Sequence, residues 1–295
     1  RNRGGRQATE GKWINSLALP AERAGTGRGT GAGRFSATCY GPGMSRLPLK
    51  LAEMTFEEAE HASELGAVGL LPAGATEAHG PHLPLSTDVV ISETAAVRAA
   101  MQLRRANVSA VVMPPLAYAV TEFAADFRGT VSISLETATA LVRDVILGAH
   151  RAGLSGVVIC NAHLEPGNLK ALKDGVAQAN ERGGRAIFPD VTRKPHALRL
   201  GDEFKSGACH AGSYETSLVL AADPFLVRSD IAEGLEANPS SLSVAIRDGK
   251  KTFQEAGGPR AYFGYPADAS AAEGELLYKE LADIFAEAAR ELGGA

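Results

Sequence analysis

Apolar runs of strand length alternate with longer amphipathic segments from residue 44 onward. Runs rich in Val, Ile, Leu and Ala predict buried strands at Ala67 to Pro72, Val108 to Pro114, Gly156 to Cys160 and Arg185 to Phe188. Helical periodicity lies at residues 55–65, 89–106, 135–152, 168–182, 212–222 and 276–292. Strands separated by helices of this length need crossovers. The pattern therefore predicts an α/β fold, a three-layer α/β/α sandwich around a mostly parallel sheet.

Local signals agree with these boundaries. Thr55 and Glu58 form a capping box at the start of the first helix. Gly183 and Gly184 mark the end of the fourth helical segment. The polar and aromatic segment from Leu116 to Thr130 is a predicted loop, and loops longer than about 12–15 residues in a compact domain are usually functional.

Ligand-type side chains follow two of the predicted strands. Glu77, His79 and Asp88 come after the first strand, in a segment that Pro81 and Pro84 stiffen. The carboxyl ends of parallel strands are where open α/β sheets place their sites. Imidazole and carboxylate are ligands for zinc or manganese. By itself, the segment could also be a surface loop whose histidines bond only to backbone.

Two further clusters favour a metal site over that alternative. His163 and Glu165 follow the third predicted strand, two residues apart, so in an extended segment both can face one pocket. His210 and Glu215 supply the same side-chain types further along the chain.

These three segments, in this order, resemble the creatininase family of metal-dependent amide hydrolases. The resemblance rests on the block from Glu77 to Asp88, on Asn161 to Asn168 and on His210 to Ser217, and it covers roughly residues 48–290. It implies two divalent ions, zinc and/or manganese, bridged by Asp88. Glu77 and His163 would complete one site, and His79 and Glu165 the other. It also implies a homo-oligomer, since family members tend to form hexamers.

The resemblance also implies amide hydrolysis. Two ions that share a carboxylate can lower the pKa of a water so that hydroxide forms near neutral pH and attacks a carbonyl carbon. A C–N bond of a linear or cyclic amide would then break. The predicted catalytic residues are Glu165, His210 and Glu215, which would move the proton to the leaving nitrogen. Alternatively, His210 orients a metal-bound carboxylate and Glu215 completes the coordination.

Other functions stay open. The chain could act on a formamide of a pyrimidine nucleotide, on a peptide bond of a peptide-derived cofactor precursor, or on a cyclic ketone. A non-catalytic metal-binding scaffold is a further alternative. Creatininase itself closes its site with tryptophans, whereas the only tryptophan here is Trp13. The charged segment from Val191 to Gly207 instead predicts a polar or anionic substrate larger than creatinine.

Composition and charge restrict the classes of partner and the cellular compartment that we expect for this chain. Residues 1–43 contain ten glycines and seven Lys/Arg against two Asp/Glu, which predicts a disordered tail. We expect this tail to be upstream sequence that is not part of the natural protein, which would then start at Met44, and an organellar transit peptide is the alternative. The overall net charge of −4 leaves a strongly acidic domain at residues 44–295, which argues against nucleic acid. No apolar run reaches the roughly 18 residues that a membrane span needs. Three scattered cysteines fit a reducing cytoplasm.

Overall fold

A computed structural model describes residues 47–207 and 210–293. The predicted Gly/Arg-rich tail of residues 1–43 lies outside the described residues. Four parallel strands form the sheet within them: β1 (Val68–Ala73), β2 (Ala110–Val112), β3 (Gly156–Asn161) and β4 (Ala186–Ile187). Their order is β2-β1-β3-β4, with Leu70 paired to Val112 on one side and to Val158 on the other. The predicted parallel α/β fold is confirmed.

Two of the strands are shorter than predicted. The strand predicted up to Pro114 ends at Val112, and the strand predicted up to Phe188 ends at Ile187. Proline follows both of them, at Pro114 and Pro189. Proline cannot donate to a ladder, which gives both strands an early end.

Helices cover both faces of the sheet. They are α1 (Phe56–Glu64), α2 (Thr87–Arg105), α3 (Leu135–Arg151), α4 (Pro166–Glu181), α5 (Gly201–Ser206), α6 (Ser213–Ala222), α7 (Ser229–Glu233), α8 (Leu242–Arg247) and α9 (Ala271–Gly293). Short 3-10 turns lie at Leu51–Glu53, His196–Arg199, Pro224–Leu226 and Pro266–Asp268.

Successive side chains of β1 enter two different cores. Leu70 is fully buried in the larger core, which α2, α6 and α9 supply. Leu71 is fully buried in the second core, where Val142 and Ile146 of α3 and Leu172 of α4 meet it. Alternation along a strand sends neighbours to opposite faces, so each core closes one face of the sheet. These are the three predicted layers.

The helix ends follow local chemistry. The predicted capping box is present, since the Glu58 amide donates to Thr55 Oγ1 at 3.3 Å and the Thr55 amide donates to Glu58 Oε2 at 2.8 Å. Helix α4 begins two residues earlier than predicted because Pro166 occupies its first turn, where a missing N–H costs nothing. Within the described residues, no helix has both the length and the apolar character needed to cross a membrane.

Candidate metal centre

The predicted ligands gather at the carboxyl ends of β1 and β3. Glu77 and His79 lie in the loop after β1, and His163 comes two residues after β3. Asp88 lies in the first turn of α2 and Glu215 in the first turn of α6. A Cβ on Gly74 would lie 2.7 Å from the Asp88 backbone. Only glycine therefore lets the end of β1 approach the start of α2 so closely.

Asp88 lies between two groups of side chains. Its Oδ2 is 3.2 Å from His163 Nδ1, and that nitrogen is 3.2 Å from Glu77 Oε1. Its Oδ1 is 3.2 Å from His79 Nε2, which is 3.5 Å from Glu215 Oε2. Glu77, Asp88 and His163 thus form one triad, and His79, Asp88 and Glu215 form a second. In each triad the ligand atoms lie within 4.8 Å of one another.

Backbone contacts orient the imidazoles. His79 Nδ1 is 3.1 Å from the Glu77 carbonyl oxygen, and His163 Nε2 is 2.8 Å from the Val120 carbonyl oxygen. Each contact occupies one ring nitrogen and turns the other toward Asp88, as is usual for metal-binding histidines. The Thr121 hydroxyl donates to Glu77 Oε2. Val120 and Thr121 belong to the loop predicted to be functional.

The donor set fits divalent cations. His79 Nε2 and Asp88 Oδ2 are buried, and among the described residues no hydrogen bond of favourable geometry reaches either atom despite their close contacts. Burial opposes protonation of His79, yet the Asp88 and Glu215 carboxylates raise its pKa to about 10. Burial raises the pKa of Glu215 to about 8. Three carboxylates thus face two imidazoles at close range, and the raised pKa values show that the cluster takes up protons to balance its charge. Two cations would supply that positive charge instead.

Glu165 belongs to neither triad. Its Oε1 accepts from the Glu122 amide at 3.0 Å, and its Oε2 accepts from the Phe123 amide at 3.2 Å. It lines the same cavity as Glu77. Burial raises the pKa of the Glu165 carboxyl. The structure thus brings Glu77, His79, Asp88 and His163 together, and Glu215 joins them in the triad for which the resemblance implied Glu165.

His210 is buried beside both triads. Its Nε2 is 3.0 Å from the Ala78 carbonyl oxygen, and its Nδ1 is 3.8 Å from Glu77 Oε1. The Phe253 ring centroid lies 4.3 Å from the His210 ring centroid. Burial lowers the pKa of His210 to about 4, which keeps the imidazole neutral. Sequence reasoning missed Phe253, because residues 248–263 show no periodicity and contain no histidine.

His82 is a packed residue. It is fully buried, and its Nε2 is 2.9 Å from Thr216 Oγ1. It belongs to none of the ligand groups formed by the described residues.

A cavity of about 430 Å³ opens above the triads. Phenylalanine rings at Phe123, Phe204 and Phe253 line it, so it is more aromatic than the sequence predicts. From the charged segment predicted to face the substrate, Lys194 and Lys205 line the cavity. Arg199 instead pairs with Glu280 of α9 at 2.7 Å.

Comparison with known proteins agrees with this geometry. Residues 52–289 match the creatininase family, described as creatinine amidohydrolase. A "Mycofactocin precursor peptide peptidase" of Mycolicibacterium smegmatis is 34% identical over 215 residues, which span 72% of this chain and 80% of that protein. A "Creatinine amidohydrolase" of Pseudomonas putida is 30% identical over 201 residues, spanning 61% of this chain and 74% of that protein.

Solved creatininase structures share the fold. One described as "Creatininase Mn" covers 82% of this chain and 98% of its own, with a TM-score of 0.66 and 26% identity. A mutant form described as "Zn-Zn type" covers 82% of this chain and 97% of its own, with a TM-score of 0.67 and 26% identity. Fold and site define a metal-binding α/β hydrolase. The chain belongs to the creatininase family.

Proposed function

We propose that this hydrolase uses two divalent ions, zinc or manganese, to cleave an amide bond in a small peptide-derived precursor. The proposal rests on the position of Asp88, whose two carboxylate oxygens face different ligand triads. One ion would be held by Glu77, Asp88 and His163. The other would be held by His79, Asp88 and Glu215.

Bound there, the ions would polarise the carbonyl group of the substrate. They would also lower the pKa of a water so that hydroxide is available for the attack at neutral pH. Hydrolysis would then add the oxygen of a water to the carbonyl carbon, break the C–N bond and pass one proton of that water to the leaving nitrogen. Glu165 is the proposed carrier of that proton. Its carboxylate lines the cavity beside the triads, and two backbone amides hold it in place. His210, held through Nε2, presents Nδ1 toward the same space.

A peptide substrate is supported by the relatives and by the cavity. The mycobacterial relatives are named as peptidases of a precursor peptide, at 29–34% identity over 72% of this chain. A cavity of about 430 Å³ lies within the range of roughly 300–1,000 Å³ typical of ligand pockets and has room beyond one small ring.

Cyclic-amide hydrolysis is the second candidate. Phe123, Phe204 and Phe253 line the cavity, and aromatic rings bind a flat ligand such as creatinine by stacking.

A substrate panel decides between the two. The zinc-loaded and manganese-loaded protein would be assayed on N-acylated short peptides, formamides and creatinine, with and without a chelator. We expect metal-dependent hydrolysis of peptides well above that of creatinine. Efficient turnover of creatinine alone would overturn the peptide proposal, and turnover that persists after complete metal removal would overturn the metal mechanism.

A further inference from the structure

The side chains that line the cavity above the triads differ in chemical character between its floor, its walls and its mouth. Carboxylates and imidazoles form the floor, including Glu77 and Asp88, both buried. Apolar side chains form the walls, among them Phe204 and Phe253, which are also buried. Lys194 and Lys205 are the lysines among the lining residues, and both lie in exposed segments.

The two lysines differ in their partners. Lys205 Nζ pairs with Asp202 Oδ1 at 2.7 Å, one turn away on α5. For Lys194, no hydrogen bond or ion pair joins its ammonium to any described residue. A cation that lines a cavity without a protein carboxylate is available to an anionic group of a ligand.

The backbone around Lys194 is held in place. The Asp190 carboxylate accepts from the Thr192 amide at 3.0 Å through Oδ1, and its Oδ2 lies 2.7 Å from Lys173 Nζ of α4. The Ala197 amide donates to the Arg193 carbonyl oxygen at 3.0 Å, which closes the turn that contains Lys194. The lysine thus extends from a braced turn at the cavity.

We propose that Lys194 binds the terminal carboxylate of the substrate, so that the enzyme selects peptides with a free C-terminus and an apolar side chain before it. The inference rests on the proposed peptide hydrolysis and deepens it. The scissile carbonyl would lie at the floor, the apolar side chain between the phenylalanine rings, and the carboxylate at the lysine. Lys194 is a specificity residue in this scheme and takes no part in proton transfer.

The test compares N-acetyl-Ala-Leu-Phe with the same peptide amidated at its C-terminus. kcat/KM would be measured on the zinc-loaded wild type and on Lys194→Ala, Lys194→Arg and Lys170→Ala. Lys170 is the matched control because it pairs with Asp174 on α4 at 2.5 Å and does not line the cavity. We expect the wild type and Lys170→Ala to prefer the free acid by about tenfold, equivalent to about 1.4 kcal/mol.

In Lys194→Ala that preference should vanish because KM for the free acid rises, while kcat/KM for the amidated peptide stays unchanged. Lys194→Arg should retain most of the preference. The preference should also shrink at high salt, since exposed charges are screened. Equal activity of the wild type on acid and amide, or a preference that survives in Lys194→Ala, would overturn the proposal. A preference that survives in Lys194→Ala would mean that another group, such as a metal ion, binds the substrate carboxylate.

A binding measurement separates this inference from the proposed function. Calorimetric Kd values for both peptides would be determined on the same four zinc-loaded proteins. If neither peptide is hydrolysed, the proposed peptide hydrolysis fails for them, and the acid-over-amide ratio of Kd still decides the role of Lys194. A ratio near one in the wild type would reject it.

Discussion

Replacing Thr121 with Val should weaken metal binding without touching a proposed ligand. The Thr121 side chain is fully buried, and its hydroxyl donates to Glu77 Oε2. Valine keeps the branched shape and removes the donor, so a buried carboxylate loses one partner. A hydrogen bond to a charged group contributes about 1.5–3 kcal/mol. Removing a group that orients a metal ligand typically lowers metal affinity by about 10–100-fold.

The assay is competition for zinc against a chelator of known affinity, with thermal unfolding recorded alongside. Thr121→Ser is the matched control because it keeps the hydroxyl. We expect Thr121→Val to lose at least about tenfold in zinc affinity, close to 1.4 kcal/mol, while Thr121→Ser stays near the wild type. Wild-type affinity in Thr121→Val, or an equal loss in Thr121→Ser, would refute the argument that this hydroxyl orients Glu77.

Three further predictions concern the framework of the site. Gly74→Ala should destabilise the protein by about 1–3 kcal/mol and reduce its zinc content, because the new Cβ would lie 2.7 Å from the Asp88 backbone; thermal unfolding and metal analysis measure both. Ser134→Ala should cost about 1 kcal/mol and leave activity unchanged, since Ser134 Oγ caps α3 by accepting from the Thr137 amide at 3.2 Å and Ser134 does not line the cavity. The Cys160 thiol is fully buried and burial raises its pKa, so peptide mapping should find it alkylated only after denaturation.

The sequence predicts the layers and most of the site for a physical reason. Strand and helix periodicity reveal which segments are buried, and ligand types directly after β1 and β3 must meet at one edge of a parallel sheet. Glu77, Asp88 and His163 therefore come together as expected. The loop from Leu116 to Thr130 also lies at the site, through Val120 and Thr121.

The remaining contacts depend on long-range packing that periodicity does not encode. Glu165 accepts hydrogen bonds from the amides of Glu122 and Phe123, more than forty residues earlier, and these contacts occupy both of its carboxylate oxygens. Phe253 stacks on His210 across a similar separation. The spacing of His163 and Glu165 in the chain shows that both can face one pocket. It does not determine whether both bind an ion, because that depends on the loop which meets them.

Metal content tests the central claim most directly. The wild type, Asp88→Ala and His163→Ala would be loaded with zinc, separated from free metal and measured by elemental analysis. The account predicts about two equivalents of zinc in the wild type, about one in His163→Ala and close to none in Asp88→Ala, because a single carboxylate serves both ions. Less than about half an equivalent in the wild type, or one ion retained in Asp88→Ala, would contradict the dinuclear site.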